Sequence, residues 1–508
     1  MDSTALKYKQ LHQAIVFCAI AFLIYRSMNF GGKSVDFYYM LADGQWILDH
    51  GRLPSTNVFS YIPGQKLILQ QWAYCVLAAW LVKTFGHLLG TFLLVGCSTT
   101  VFTIGFVWFF REQGLPWSMA FLLAAGLEGL NGYHGVRPEL LTLGLLMIEL
   151  SAIERSLRTK QFRWLWFVPG TFALEMSFHG SMWPMHVLVL LPYLFPKRLF
   201  LHPVLTHVSV RSLPWKWGLF SIVSSALALW NPYGLDGILY IFRSMKFLRV
   251  HGGYIAELHP NHFPTHLYLL SLVFHPFFRW VYGLTFTVIL LTAFWREGKR
   301  VRVSDLCILL GLLVLSVTRV RQIIWMDIVF AILLSYAFFY VCEWIRNKHM
   351  KVNPKSMRNL WILCGLVFLV FTPFQEQTKV FFQPQDDVIT PVKAIRYLDH
   401  HEGDKVLCFH DYGSFLQWKG YLVSCDSRPE CYSKVIGGKP VAEDLIHLFY
   451  DEDLTKAEYQ KTMNRYRGDY VLCRNRVNAF LYYLKQDKSY KQVVKGNGYL
   501  LFERKDRQ

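Results

Sequence analysis

The chain has 508 residues, of which 53% are hydrophobic and 17% aromatic; only 17% are charged, against about 25% in a typical soluble protein. This excludes an ordinary soluble domain and points to a polytopic membrane protein. The net charge of +18, from 53 Lys+Arg and 35 Asp+Glu, is scattered between apolar runs rather than gathered on one module. That argues against nucleic acid and fits positively charged cytoplasmic loops or sites for anionic lipid phosphates.

The first apolar run, 12–30, is long enough to span and lacks a small-residue cleavage site, so it reads as a retained helix rather than a signal peptide. Ten further candidate spans follow: 88–110, 115–132, 139–153, 164–178, 181–196, 214–230, 280–295, 304–318, 322–342 and 359–373, giving about eleven. Several are short and require tilt or burial in protein. Segment 72–84, "WAYCVLAAWLVKT", is ambiguous. Read as a half-buried helix of the first external loop, it places Arg111, Glu154–Arg163, Lys197-Arg198, Arg211–Lys216, Arg296–Arg302 and Arg346–Arg358 on the side of Lys7 and Lys9. That basic side is the cytoplasm.

The other side collects Lys33–Gln71, Tyr133–Glu139, Phe178–Gly180, Asn231–Gly234, Tyr254–Asn261 and Thr318–Gln322. Lys33–Gln71 is far longer than the two to eight residues or so of a plain connector. Ionisable residues at span ends are costly and default to functional candidates. Cys18, Cys75, Cys97, Cys307, Cys342 and Cys364 lie in or beside apolar runs and read as packing residues.

After Pro373 the composition changes. Lys405–Phe409, Tyr421–Cys425 and Asp469–Cys473 read as strands, with helical patterns near 441–450 and 454–466 and a terminal hairpin, "KQVVKGNGYLLFER". The alternation predicts a small α/β sheet. Asp411, Asp426 and Arg428 fall just after strand ends, where such sheets build sites; helix capping is the plainer alternative. No phosphate-binding glycine loop is present. Cys408, Cys425 and Cys473 read as buried thiols, with a Cys425–Cys431 pairing as an alternative. The fold class is thus a polytopic α-helical membrane protein carrying a C-terminal soluble α/β domain. Residues 1–373 form the transmembrane domain, with a structured external loop at 31–87, and residues 374–508 the α/β domain.

The external segments carry a resemblance. Asp36, Phe37-Tyr38-Tyr39, Gly44, Trp46-Ile47-Leu48, Gly51, Pro54 and Phe59-Ser60-Tyr61, with Arg137-Pro138-Glu139, His179-Gly180, Asn231–Gly234, the Glu257 segment, Arg319/Arg321 and "SCDSRPECY", follow one another in order. This pattern resembles the GT-C superfamily of membrane glycosyltransferases, and more narrowly a group of bacterial GT-C-like membrane proteins of mostly unassigned substrate. Met40 stands where that group tends to have His, and Gln71 where it tends to have Glu.

The resemblance implies a multi-pass plasma-membrane enzyme, bacterial, with a cytoplasmic N-terminus and an extracytoplasmic C-terminal domain. It implies a polyprenyl-phosphate-linked sugar donor, an envelope glycan or lipid acceptor, and transfer with inversion. Such a displacement needs a base for the acceptor hydroxyl, and partial desolvation at a membrane edge suits a carboxylate to that task; Asp36 is the candidate. Glu139 resembles the second acidic position, with an ion pair to Arg137 as its plainer role. Arg319 and Arg321 suit a donor phosphate, although residues two apart do not share a helix face. Arg137, His179, Asn231, Glu257 and His259 complete the candidate substrate-binding set. Asp36 and Glu139 are also the only pair considered for Mg²⁺ or Mn²⁺. Two alternatives remain open: a non-catalytic scaffold or interaction subunit of an envelope-glycan assembly complex, and a lipid or lipid-linked-sugar transporter.

Overall fold

A computed structural model describes residues 3–28, 34–130, 135–195, 208–209, 211–254, 276–296, 301–318, 320–347 and 389–506. The last predicted span, 359–373, lies outside them.

Helix α1 (Ser3–Met28) is followed by α2 (Val35–His50), an irregular segment to Gln71, and α3 (Trp72–Glu112). Then come α4 (Trp117–Leu130), α5 (Glu139–Thr159), α6 (Phe167–Phe178), α7 (Trp183–Leu190), α8 (Trp215–Ala228), α9 (Gly234–His251), α10 (Pro276–Arg296), α11 (Val303–Thr318) and α12 (Met326–Asn347). Among the described residues, Lys9–Met28, Trp72–Glu112 and Gln322–Val341 are long and apolar enough to cross a membrane; Gly283–Arg296 and Val303–Ser316 are shorter apolar helices.

Helix α3 is two helices in one. Gly86 has φ 80°, ψ 166°, a region open in practice to glycine alone. The chain folds back there, bringing Gly90 against the Leu81 and Val82 backbone. Its first half packs on α2, where Gly44 lies so close that a Cβ would stand 2.0 Å from the Cys75 carbonyl oxygen. The second half packs with α4, α5, α11 and α12 around Phe102, Phe106, Leu143, Met147 and Ile328, all fully buried.

Helix α5 sets the depth scale: its 21 residues span about 30 Å, the thickness of a bilayer core. At its C-terminal end Glu112 holds Arg155 and Arg158, and Glu154 holds Arg211 and Arg302, at 2.5–2.9 Å. Arg302 also pairs with Asp305. The carboxylates predicted inside spans are all partnered: Glu128 by Arg26 at 3.1 Å, Glu149 by His186 at 2.5 Å, and Glu175 by Thr142 at 2.7 Å.

The C-terminal residues form a five-stranded sheet. Its strands are β1 (Lys405–Leu407), β2 (Leu422–Val423), β3 (Tyr470–Arg474), β4 (Tyr490–Lys495) and β5 (Tyr499–Arg504), in the order β2-β1-β3-β5-β4. β2, β1 and β3 run parallel and β5 returns antiparallel between β3 and β4. Helices α13 (Val392–Leu398), α14 (His410–Trp418), α15 (Val441–Tyr450), α16 (Lys456–Arg465) and α17 (Ala479–Gln486) cover it. The parallel strands, α15, α16 and the terminal hairpin lie within a few residues of their places in the sequence pattern. Cys408, Cys425, Cys431 and Cys473 are buried free thiols; a Cys425–Cys431 disulfide is not formed, and Cys431 Sγ instead meets the Tyr240 hydroxyl at 3.3 Å.

The first loop is built into this sheet. Val423 N–H donates to Phe59 O, pairing Ser60 with the β2 edge. Tyr61 donates to Tyr466 O at 2.9 Å, and Lys66 N–H to Gly437 O. Helix α9, which was not anticipated, also joins in: Tyr240 and Phe247 enter the domain's core, while Leu235, Phe242 and Val250 on its other side are more than half exposed.

Candidate functional site

Asp36 lies in the first turn of α2, where a carboxylate is favoured by the helix dipole. Arg137, in the turn that leads into α5, reaches it. Its Nη2 stands 3.0 Å from Asp36 Oδ2, and its Nε donates to Ser34 Oγ at 3.1 Å. The guanidinium fork therefore fixes the start of α2 and the angle of the carboxylate. Both side chains keep about a sixth of their surface exposed, 17% and 16%. The ion pair foreseen between Arg137 and Glu139 is thus made by Arg137 with Asp36.

Glu139, the first residue of α5 and 5% exposed, turns into a small cavity instead. Thr142, His179, Met182, Gln322, Ile324 and Trp325 share it. Its volume of about 20 Å³ is room for a single water. Gln322 and Trp325 come from a short 3-10 turn, Val320–Trp325, that enters α12. Arg321 belongs to that same turn; Arg319, Glu257 and His259 lie outside the described residues.

Behind the cavity runs a line of buried polar groups. His179, the C-cap of α6, has Nδ1 2.7 Å from Thr142 Oγ1, and Thr142 donates to Glu175 Oε1 at 2.7 Å. Glu175 Oε2 lies 3.5 Å from His186 Nε2, whose Nδ1 is 2.5 Å from Glu149. A hydroxyl carries one proton, so Thr142, donating to Glu175, accepts from His179 Nδ1–H. That leaves Nε2 as the acceptor nitrogen of the His179 ring.

The α/β domain roofs this end of the molecule. Tyr38 of α2 packs its ring edge-on against Phe415 at 4.8 Å and beside Trp418 at 5.4 Å. Arg428 crosses to α2: Nη1 stands 2.8 Å from Asp43 Oδ2, Nε 3.2 Å from Asp426 Oδ1, and Nη2 on Asp426 Oδ2, with the guanidinium 3.8 Å over the Tyr39 ring. All three charged groups are buried. Burial outweighs the attraction of Arg428 and pushes the Asp43 carboxyl up to about 6. Asp426 and Arg428, singled out for their place after a strand, therefore dock the domain.

His410 is the functional candidate that sequence reasoning missed. It opens α14 directly after β1, with Nε2 3.2 Å from Asp411 Oδ1 and Nδ1 buried without a hydrogen-bond partner. Burial pushes its pKa below the usual imidazole range, while Asp411 and Asp36 pull it back up. Helix α14, which His410 opens, packs on α2, which carries Asp36, through Phe415 and Trp418 against Tyr38. The legible signal was an ionisable residue at a helix start after a parallel strand.

Other candidates sit apart. The Asn231 side chain closes its own turn, bonding Leu229 O, Gly234 O and Tyr233 N–H. Asp49 pairs with Lys83 on the surface. Met40 is 1% exposed in the α2–α3 core, and Gln71 donates to the Tyr39 hydroxyl. The two departures from the resembled pattern are therefore packing positions that do not line the Glu139 cavity. For a divalent cation, no group of three or more His, Cys, Asp or Glu side chains gathers among the described residues. Asp36, paired with Arg137, and Glu139, in its cavity, offer two carboxylates, where Mg²⁺ or Mn²⁺ takes about six ligands. A separate apolar groove of about 1260 Å³ runs along the second half of α3, from Ser27 and Phe92 to Arg111 and Arg158.

No protein-family model matches the chain, and neither does any curated protein sequence. Solved structures do match. The archaeal oligosaccharyltransferase AglB from Archaeoglobus fulgidus, in complex with an inhibitory peptide and a dolichol-phosphate, superposes with a TM-score of 0.57 at 14% identity; the match covers 92% of this chain and 70% of that one. ArnT from Cupriavidus metallidurans, in the apo state, gives 0.54 at 11% identity over 98% of both chains. ArnT bound to undecaprenyl phosphate gives 0.51 at 10% identity over 99% and 98%. At such identities the likeness is one of fold, and that fold is the one found in GT-C membrane glycosyltransferases.

Proposed function

We propose that the protein is a membrane glycosyltransferase that moves a sugar from a polyprenyl-phosphate-linked donor to an envelope glycan or lipid, with inversion, on the extracytoplasmic face. The observation that carries the reading is the meeting of Asp36–Arg137 and the Glu139–His179–Gln322 cavity at one end of the spans, under the α/β domain, whose α14 packs on α2. The basic clusters on Glu112 and Glu154 lie at the other end of α5, which supports a cytoplasmic assignment for that end. The apolar groove along α3 supports a long lipid chain as ligand, and the solved neighbours include proteins bound to dolichol-phosphate and undecaprenyl phosphate.

In the reaction the acceptor oxygen attacks the anomeric carbon. The bond from that carbon to the phosphate oxygen breaks, and the hydroxyl proton passes to Asp36. The lipid phosphate leaves with the bonding electron pair. Arg137 holds the Asp36 carboxylate in place, Glu139 and His179 orient the acceptor, and the turn bearing Arg321 faces the departing phosphate. Loss of a positioned base costs about 10²–10⁴ in rate. Asp36→Asn and Glu139→Gln, each expressed in cells depleted of the wild-type protein, should therefore abolish the glycan product measured by mass spectrometry of the envelope, at unchanged protein abundance. Full product from both variants would point to the scaffold reading, and lipid movement in vesicles that survives Asp36→Asn to the transporter.

A further inference from the structure

The α/β domain holds a second cavity, of about 270 Å³, at the C-terminal ends of β1 and β3. These adjacent parallel strands send their chains to opposite sides: β1 leads through α14 to β2, and β3 leads through α17 toward β4 and β5. Such a reversal in strand order opens the crevice where open α/β sheets take ligands.

The cavity has two kinds of lining. One is aromatic: Phe449 lies 4.6 Å from Phe480 and 6.2 Å from Phe409, and Tyr450 stands edge-on to Phe409 at 5.1 Å. The other is planar and polar. Asp411 pairs with Arg474 at 2.6 Å, and the exposed Arg476 and Glu452 stand at the mouth. The lining thus holds two guanidinium groups and two carboxylates, and its formal charge is balanced.

An independent observation asks for a ligand atom. Tyr412 lines the cavity and is only 2% exposed, and its buried hydroxyl has no hydrogen-bond partner. The groups that act on that hydroxyl are Asp411, Cys473, Arg474 and Tyr450, all cavity residues. Buried hydroxyls are ordinarily satisfied, and this one belongs to a side chain that lines the cavity.

A balanced charge disfavours a phosphate or a nucleotide. Aromatic walls offer a face for the C–H side of a sugar ring, and forked carboxylate and guanidinium groups match neighbouring ring hydroxyls two at a time. We propose that this cavity binds a neutral pyranose unit of the glycan acceptor, an assignment that rests on the glycosyltransferase reading. The cavity adjoins the proposed reaction chamber through α14: Asp411 and Tyr412 line it, while Phe415 and Trp418 of the same helix pack on Tyr38, two residues from Asp36.

Saturation-transfer NMR on the full chain in nanodiscs tests this, with glucose, galactose, mannose and N-acetylglucosamine as probes and inorganic phosphate and AMP as controls. At least one sugar should show transfer. Its affinity should fall by roughly three- to tenfold in Tyr412→Phe, the worth of one hydrogen bond, and further in Tyr412→Phe with Arg476→Ala, while Asp36→Asn binds it as wild type does. No signal from any of the four sugars, signal from phosphate or AMP alone, or sugar binding unchanged in the double variant overturns the assignment. The Asp36→Asn arm separates the two readings. Glycosyl transfer lost in Asp36→Asn, with no sugar bound by any form, leaves the enzyme reading and removes the pocket; no glycosyl transfer by the wild type, with sugar bound, removes the enzyme reading and leaves a glycan-binding pocket.

Discussion

Arg428→Met tests whether the α/β domain is held on the first loop by a buried charge cluster. The guanidinium bonds Asp43 and Asp426 and covers the Tyr39 ring; methionine replaces its volume and keeps a contact with the ring. What it cannot replace is the cation between two buried carboxylates. Breaking a buried pair from one side costs about 3–5 kcal/mol, and a tenfold change corresponds to about 1.4 kcal/mol. Amide hydrogen exchange in the Tyr39–Asp43 segment of α2, corrected for intrinsic rates, should therefore lose roughly two to three decades of protection. The spans, measured in the same sample at Leu143–Met147, should keep theirs. A loss in α2 below tenfold would mean that apolar contacts such as Tyr38 on Phe415 and Trp418 hold the domain alone, and would refute the argument.

Asp43→Asn probes the same cluster by pH. The folded carboxyl, pushed up to about 6 against an ordinary 3.8, binds a proton that the undocked form releases, so docking strengthens as pH falls from 7 toward 4. The whole window is worth about 3 kcal/mol, and the asparagine variant should flatten that slope in α2 hydrogen exchange. Thr142→Val cuts the line from Glu175 to His179, and the transfer rate should drop by about 10–100-fold in a nanodisc assay while Thr142→Ser restores it. A valine variant at full rate would show that His179 needs no such support. Gly86→Ala forces a side chain onto backbone at φ 80° and should destabilise the α3 hairpin by about 1–3 kcal/mol, read as faster exchange at Trp80–Phe85; unchanged exchange would show that the turn relaxes at no cost.

The sequence made legible what depends on local pattern. Strands of the α/β domain alternate with helices within a few residues of their predicted places, because a buried sheet with covering helices writes both periods into one stretch. The first half of α3 was ambiguous by composition, and the distribution of basic residues read it as a half-buried helix of the first loop; the structure breaks α3 at Gly86, between that helix and the span that follows. Helix α9 was missed because it lies between two surroundings. One face enters the α/β core through Tyr240 and Phe247, and the other exposes Leu235, Phe242 and Val250, so neither a spanning run nor a soluble pattern announces it.

The site shows a sharper division. Asp36, Arg137, Glu139 and His179 stood out because an ionisable group at a span end has no cheap structural reason to be there, and the structure pairs Asp36 with Arg137 and sets Glu139 and His179 around one cavity. Asp426 and Arg428, placed after a strand end, looked equally suspicious, and they turned out to be held with Asp43 in one closed cluster. Charge in an unusual place marks a candidate; partners assign the role. A triad that is closed on itself, as Arg428 is with its two carboxylates, fixes the position of a domain. His410, with one ring nitrogen on Asp411 and the other without a partner, is open. Openness in a buried group is costly, and folding has kept that cost at the point where the first loop and the α/β domain meet around Asp36. By the same logic the buried Tyr412 hydroxyl, two residues further along α14, marks the neighbouring cavity as a place built to be filled. Unpartnered buried atoms of this kind gather at the start of α14, from His410 to Tyr412, between the chamber proposed around Asp36 and the second cavity.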